Sequence, residues 1–269
     1  MSIRIIAMDL DGTLNNDEKV ITPLTKEALM TAQENGIRLV LASARPAPGL
    51  YREANALSVQ EYGGILMSYN GGCITDAKTR TILYQTGIET EVMRSVLRML
   101  REFPVTPILD DGVRFYAEDK KGYKVAYECQ NNRMECTEVE SLADFLHFSP
   151  VKVLMSADPA VIRDVQGKIG MRLPEGLSIV QTAPFYLEVI PHTINKGEGL
   201  RKVCELLSVP IGETIAFGDA ENDVPMLKAA GIGVAMGNAD ERTKKEADFV
   251  TLSNNEDGIA AALQKFLKL

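Results

Sequence analysis

Two short apolar runs, Ile3 to Met8 and Ile37 to Ala42, constrain the fold more than anything else in the chain. Both are rich in strand-forming residues without polar alternation, as expected of strands buried on both faces of a parallel sheet. Between them, Thr22-Pro23 offers an N-cap and a proline at the first helical position. Leu24, Ala28, Leu29 and Ala32 fall on one helical face, and Asn35-Gly36 ends the helix. Strand, helix and strand in this order make a βαβ unit with parallel pairing. The far end repeats the rhythm: a helix from Gly197 to Leu207, strand Thr214 to Phe217, helix Val224 to Ala230, strand Ile232 to Ala235, helix Glu241 to Ala247, strand Phe249 to Leu252 and a last helix. The two ends read as one α/β domain.

Between them the pattern changes. Glu89 to Glu102 reads as a helix followed by strands Val105 to Leu109 and Val113 to Ala117 around an Asp110-Asp111-Gly112 turn. Val151 to Met155, Ala160 to Ile169, Leu177 to Gln181 and Tyr186 to Ile190 repeat strand, helix and paired strands. This predicts an α+β cap domain over residues 84–190, inserted into a core domain made of residues 1–83 and 191–269. A body joined by two connections, near residues 83–86 and 190–194, is expected to move as a hinge. Residues 119–148 are the least legible stretch.

Composition narrows the function. The 269 residues carry 29 basic against 37 acidic side chains, a net charge of −8, with no long Lys/Arg run. That balance argues against a nucleic-acid groove or an anionic membrane surface and favours a small-molecule partner. Cys73, Cys129, Cys136 and Cys204 form no C-x-x-C pair, so they read as reduced, inert thiols. The apolar run at the N-terminus is too short for a signal peptide, and no stretch approaches the ~20 apolar residues of a membrane span. The expected location is the cytoplasm.

The chemistry gathers where strands end. Asp9-Leu10-Asp11-Gly12-Thr13 closes the first apolar run, and strand alternation sends both carboxylates to one side. Two acids in one small space need a cation or a shared proton, which makes them a candidate Mg²⁺ and acid/base site. Gly12 permits the tight turn that follows. Ser43 stands directly after the second buried strand, Asn195-Lys196-Gly197 opens a helix whose free N–H groups attract anions, and Gly218-Asp219-Ala220-Glu221-Asn222-Asp223 follows a third strand. Ligands of open α/β sheets bind at the carboxyl ends of strands. Taken singly, each segment has a plainer reading: a helix cap, a solvated lysine, a capping loop.

Together, in this order, the four segments resemble the motifs of the haloacid dehalogenase-like (HAD) superfamily: D-x-D-G-T-L at Asp9 to Leu14, a hydroxyl at Ser43, N-K-G at Asn195 to Gly197 and G-D-x-x-N-D at Gly218 to Asp223. With Asn70-Gly71 and a long insertion after Ser43, the chain resembles the Cof-type sugar phosphatases with a class IIB cap. The resemblance implies a Rossmann-like α/β core and a phosphatase of small phosphorylated metabolites, above all sugar phosphates. It implies Asp9 as the nucleophile that becomes an aspartyl phosphate, and Asp11 as the proton donor and later base. The phosphate would be held by Ser43, Ala44, Lys196 and Gly12. Mg²⁺ would be bound by Asp9, by the carbonyl of Asp11 and by Asp219, with Asn222 and Asp223 in support. One departure is visible: the second motif reads Ser43-Ala44-Arg45 where the family has glycine in the middle. If that position required positive φ, alanine would cost about 1 kcal/mol; the expectation is that it does not.

Two other functions share these features. A phosphomutase of the same superfamily returns the phosphoryl group to a sugar instead of to water. A receiver-like phospho-acceptor module also combines acids, a hydroxyl and a lysine on an α/β sheet, but needs no inserted cap. His192, close to Lys196 in sequence, is a candidate substrate contact; His147, between Leu146 and Phe148, is expected to be partly buried. Arg45 is a candidate phosphate contact. The glycines from Gly231 to Gly237 have the wrong spacing for a dinucleotide loop.

Overall fold

A computed structural model describes residues 3–268. The chain divides into two compact units: one holds the chain up to Gln85 and again from Asn195, the other is Thr86–Ile194. In chain order, the first unit begins with β1 (Ile5–Asp9), α1 (Pro23–Glu34), β2 (Arg38–Ala42), α2 (Tyr51–Ala56), β3 (Ile65–Ser68), β4 (Cys73–Asp76) and β5 (Ile82–Gln85). The second unit contains α3 (Thr90–Leu100), β6 (Thr106–Asp110), β7 (Phe115–Ala117), α4 (Val125–Asn132), β8 (Cys136–Glu138), α5 (Leu142–Phe145), β9 (Val153–Ser156), α6 (Pro159–Gly170), β10 (Leu177–Ala183) and β11 (Tyr186–Pro191). The chain then returns to the first unit with α7 (Lys196–Leu207), β12 (Thr214–Gly218), α8 (Val224–Ala229), β13 (Ile232–Ala235), α9 (Glu241–Glu246), β14 (Phe249–Val250) and α10 (Gly258–Leu267).

The first unit is an α/β sandwich in three layers. Its sheet runs β14-β13-β12-β1-β2-β3-β4-β5, parallel from β14 through β3 and antiparallel over the last two pairings. Strand alternation divides the core. Ile6, Met8, Leu39 and Leu41 pack with Leu29 of α1 and Ile259 and Leu263 of α10. Ile5, Ala7, Val40 and Ala42 pack with Leu200 and Val203 of α7 and Met226 of α8. Central strands with helices on both faces explain the continuous apolar runs of the sequence. Strands β3 to β5 and the short α2 were not apparent in the sequence. Strand β14 stops at Val250, two residues short of the expected Leu252. Thr22 is the N-cap residue of α1 with Pro23 after it, as expected, but its hydroxyl donates to Asp257 and accepts no hydrogen bond from the helix.

The second unit is α+β, with sheet order β10-β11-β9-β6-β7-β8. One face packs against α3, α5 and α6 through Met93, Leu97, Leu142, Ile162 and Val165. The other carries Ile108, Phe115, Leu154 and Tyr186, covered by Val125 of α4. The illegible stretch holds α4, β8 and α5. Both flanks of α4, Lys124 and Arg133, are left-handed, which hides its boundaries from a reading by ordinary caps. His147 is exposed, not partly buried; its ring meets Phe145 and Phe148 edge to face. No helix among the described residues is long and apolar enough to cross a membrane.

Candidate active site

The site is built on three adjacent strands, β12, β1 and β2, whose parallel register brings their carboxyl ends level: Met8 faces Phe217 and Asp9 faces Ala42. Asp9 is the last residue of β1, Ser43 follows β2 and Asp219 follows β12. Lys196, the first residue of α7, has no exposed surface. Asn195 caps that helix by accepting from the Glu198 N–H (3.0 Å), so the lysine departs from a fixed helix start.

Lys196 Nζ lies 2.5 Å from Asp9 Oδ1 and 2.5 Å from Asp223 Oδ1. The other Asp223 oxygen accepts from the backbone N–H groups of Asp219 (3.0 Å) and Ala220 (3.1 Å), which clamps the acidic loop. Asp9, Asp219 and Asp223 can offer ligand oxygens within 4.8 Å of one another. Burial disfavours the Asp9 anion and, against the pull of Lys196, pushes its carboxyl up to about 7. Asp219 is likewise pushed up to about 6 by burial, against the hydrogen bond from Thr13 Oγ1 (2.6 Å). Burial opposes the charge on Lys196, but Asp223 and Asp9 outweigh it and raise its pKa. Gly12 has φ +85°, and a Cβ there would collide with the Asp219 carboxylate, so glycine is required on both counts.

The second acid of the first motif has partners of its own. Asp11 Oδ2 is 2.5 Å from Arg45 Nη2 and its Oδ1 is 3.0 Å from Lys19 Nζ. Burial raises its pKa, yet Arg45 and Lys19 together hold the carboxyl below its ordinary value. Asp9 shares its space with Asp219 and Asp223, and the charge of Asp11 is felt there too, since it adds to the rise of the Asp219 carboxyl.

Ser43 is buried; its carbonyl accepts from the Asn70 N–H (2.8 Å) and its Oγ from the Arg45 N–H (3.3 Å). Ala44 is not among the residues with positive φ, so the missing glycine costs no strain there. Asn222 Nδ2 donates to Asn70 Oδ1 (3.2 Å). Tyr69, Asn70 and Gly71 have φ of 52°, 54° and 96° in succession, an uncommon run of left-handed backbone that brings Asn70 to both the Ser43 and the Asn222 segments. His192 belongs to the Thr86–Ile194 unit and its N–H donates to the Gly176 carbonyl.

The sequence reading missed several supports. Thr13, inside the first motif, holds Asp219. Asn238 Nδ2 donates to the Gly12 carbonyl (2.8 Å) and Asn254 Nδ2 to the Asn15 carbonyl (3.1 Å), while Asn15 Nδ2 donates to buried Glu53 (3.1 Å). These clamps on the first motif come from remote loops and α2, and only Thr13 had a signal beside the catalytic pattern.

The sequence profile of the haloacid dehalogenase-like hydrolases matches residues 6–263. The chain belongs to this family. A haloacid dehalogenase-like hydrolase from Bacteroides thetaiotaomicron has the same fold at TM-score 0.91, with 36% identity over 98% of this chain and 99% of that one. A 5-amino-6-(5-phospho-D-ribitylamino)uracil phosphatase of Bacillus subtilis is 28% identical over 98% of both chains. A subclass IIB sugar phosphatase shares the fold at TM-score 0.80, with 23% identity over 99% of this chain and 100% of that one. As a haloacid dehalogenase-like hydrolase with relatives named as phosphatases, the chain is a phosphoric monoester hydrolase.

Proposed function

We propose that the protein is a Mg²⁺-dependent phosphatase of small phosphorylated metabolites, chiefly sugar and sugar-alcohol phosphates, acting through an aspartyl phosphate on Asp9. The observation that carries this reading is the buried Asp9, Asp219 and Asp223 group bridged by Lys196 at the carboxyl ends of β1 and β12. A hard divalent cation suits this all-oxygen donor set. The electrostatics call for one, since a carboxyl that titrates near 7 is only partly ionised at neutral pH and is a poor nucleophile until a cation favours its anion. Asp9, Asp219 and the Asp11 carbonyl would hold the ion, with Asp223 and Asn222 in support; bound there, it would offset the negative charge of the transferring phosphoryl group.

Asp9 attacks phosphorus and the leaving oxygen departs with a proton from Asp11, which then accepts a proton from the water that cleaves the acyl phosphate. Ser43, Lys196 and the backbone at Gly12 and Ala44 hold the phosphoryl oxygens. Arg45 and Lys19 fit a further step. A phosphate dianion competes with Asp11 for these two cations, and as they turn to it the Asp11 carboxyl gains the proton it must donate.

Steady release of inorganic phosphate from p-nitrophenyl phosphate, abolished by EDTA, tests the reading. Phosphoryl return to a sugar without phosphate release would instead indicate a mutase, and a single labelling event without turnover a phospho-acceptor module. A screen of phosphorylated metabolites would then rank substrates.

Asp219→Ala is expected to raise the Mg²⁺ concentration for half-maximal activity more than it raises KM, since Ser43 and Lys196 remain. A metal titration giving the wild-type midpoint would remove Asp219 from the ligand set.

Stability of the metal-free protein should depend on pH in a defined direction. Asp9 and Asp219 have folded pKa values raised above the ordinary 3.8, so the folded state holds protons that the unfolded chain has released. Their contribution is fully present below about 4 and is lost as pH rises through 6 to 7. Melting in EDTA should therefore show these two groups eroding stability across that window, with Mg²⁺ restoring more at pH 8 than at pH 5. An equal Mg²⁺ effect at both pH values would contradict the assignment.

A further inference from the structure

One helix face breaks the pattern of the first unit's core. Leu50, Glu53, Ala54 and Leu57, along α2 and its two flanking positions, are spaced i, i+3, i+4 and i+7 and share one face. Leu50, Ala54 and Leu57 belong to the apolar cluster that also holds Leu10 and Leu14 of the first motif. Glu53 stands in the middle of that stripe with 2% of its surface exposed. Burying a carboxylate is costly, and a well-packed apolar side chain in such a place is often neutral or stabilising. A helix that only closed the core would have no use for it.

The partners of Glu53 show what it holds. Its Oε1 accepts from Arg52 Nε (2.9 Å) and Nη2 and from Asn15 Nδ2 (3.1 Å). Arg52 is its partly exposed neighbour in the same helix, so the remote partner is Asn15. Asn15 has no exposed surface, pairs with Asp11 through an isolated bridge, and donates its N–H to the Leu10 carbonyl (2.8 Å). Asn254 donates to the Asn15 carbonyl (3.1 Å), whereas the Asn15 side chain is held by Glu53. Asn15 is thus the far post of the short loop whose near post is Asp11. At the near post, Arg45 Nη2 lies 2.5 Å from the Asp11 carboxylate. Arg45 and Glu53 are eight positions apart (53 − 45), so one stretch of chain grips the loop at both ends.

We infer that Glu53 is a positioning residue for the proton donor: through Asn15 it fixes the Asp11–Asn15 loop so that the Asp11 carboxyl meets the leaving oxygen as the phosphorus–oxygen bond breaks. The inference rests on the phosphatase reading and deepens it, giving a residue outside the four motifs a part in the proton-transfer step. Small misplacements of a reacting group are expensive in rate. A leaving group that departs as a stable anion needs little of that proton, so the contribution of Glu53 depends on the leaving group. What Asn15 requires is an acceptor, not a charge.

The test measures kcat/KM at saturating Mg²⁺ for p-nitrophenyl phosphate and phenyl phosphate, which are similar in shape and differ in how readily the leaving group departs. Glu53→Leu should lower the phenyl phosphate value by about tenfold more than the p-nitrophenyl phosphate value. Glu53→Gln, which keeps an acceptor for Asn15, should stay close to wild type on both. If Glu53 serves stability alone, Glu53→Leu shifts the melting temperature and both substrates fall alike or not at all, which overturns the inference. A Glu53→Gln protein as selectively impaired as Glu53→Leu overturns it too. Should Glu53→Leu fail to fold, Asn15→Ala removes the same hydrogen bond from the other end and must show the same selective loss; its absence is equally fatal. Hydrogen exchange at the Leu14 and Asn15 amides, which donate to the Asp9 and Leu10 carbonyls, separates the two readings. A wild type that hydrolyses neither compound refutes the phosphatase. Faster exchange at both amides in Glu53→Leu or Asn15→Ala would then still support the clamp, and unchanged exchange refutes it.

Discussion

Asp9→Asn is expected to reduce turnover of every phosphomonoester to background, because the amide cannot form the covalent intermediate. Asp11→Asn should fail differently. It leaves the nucleophile and the Lys196 bridge in place and removes a proton donor worth ~10²–10⁴-fold, depending on how poor the leaving group is. With p-nitrophenyl phosphate, whose phenolate departs unaided, the first step should survive far better than with an alkyl sugar phosphate. The second step still needs a base for water, so phosphorylated enzyme should accumulate. Rapid-quench labelling reads both outcomes. Covalent phosphate trapped on Asp9→Asn, or equal loss on both substrates with no intermediate in Asp11→Asn, would reverse the assigned roles.

Lys196→Met should cost both activity and stability. The ammonium is fully buried between Asp9 and Asp223, and its removal leaves two buried carboxylates facing each other. Breaking a buried ion pair by deleting one partner typically costs ~3–5 kcal/mol. The Asp9 carboxyl, already pushed up to about 7, should rise further and move the activity profile to higher pH. Adding Asp223→Asn to Lys196→Met should recover much of the lost stability without recovering turnover. Denaturant unfolding and a pH–rate profile would check this, and a single variant with wild-type stability would show that the bridge is not where the structure places it.

The α/β core was legible because its central strands are apolar on both faces and its helices carry their period openly. The Ile5–Asp9 and Arg38–Ala42 strands follow directly from the runs that signalled them. The β3–β5 extension was not legible, since β5 is mostly exposed and β4 is interrupted by polar Thr75. At the site, motif residues were found where chemistry demands an unusual side chain at a strand end. Their supports were not, because Asn238, Asn254 and Glu53 act through one or two hydrogen bonds to segments more than thirty positions away, and nothing in local sequence marks such a bond. The ion pairs of Asp11 were not legible either: it lies past the end of β1 at Asp9, and Lys19 and Arg45, further along the chain, hold its carboxylate.

The parallel pairing of β1 with β12 also bears on how the protein is made. Ile5 lies beside Thr214, 209 positions later (214 − 5). At ~5–20 residues per second of ribosomal synthesis, one edge of β1 waits about 10–40 s for its partner. Strands β2 to β5 can assemble on the other edge at once, and the Thr86–Ile194 unit is contiguous and can fold while the wait lasts. The apolar Ile5-Ile6-Ala7-Met8 edge is then the exposed, aggregation-prone element of the nascent chain, and the catalytic centre is completed only when Lys196 and β12 arrive.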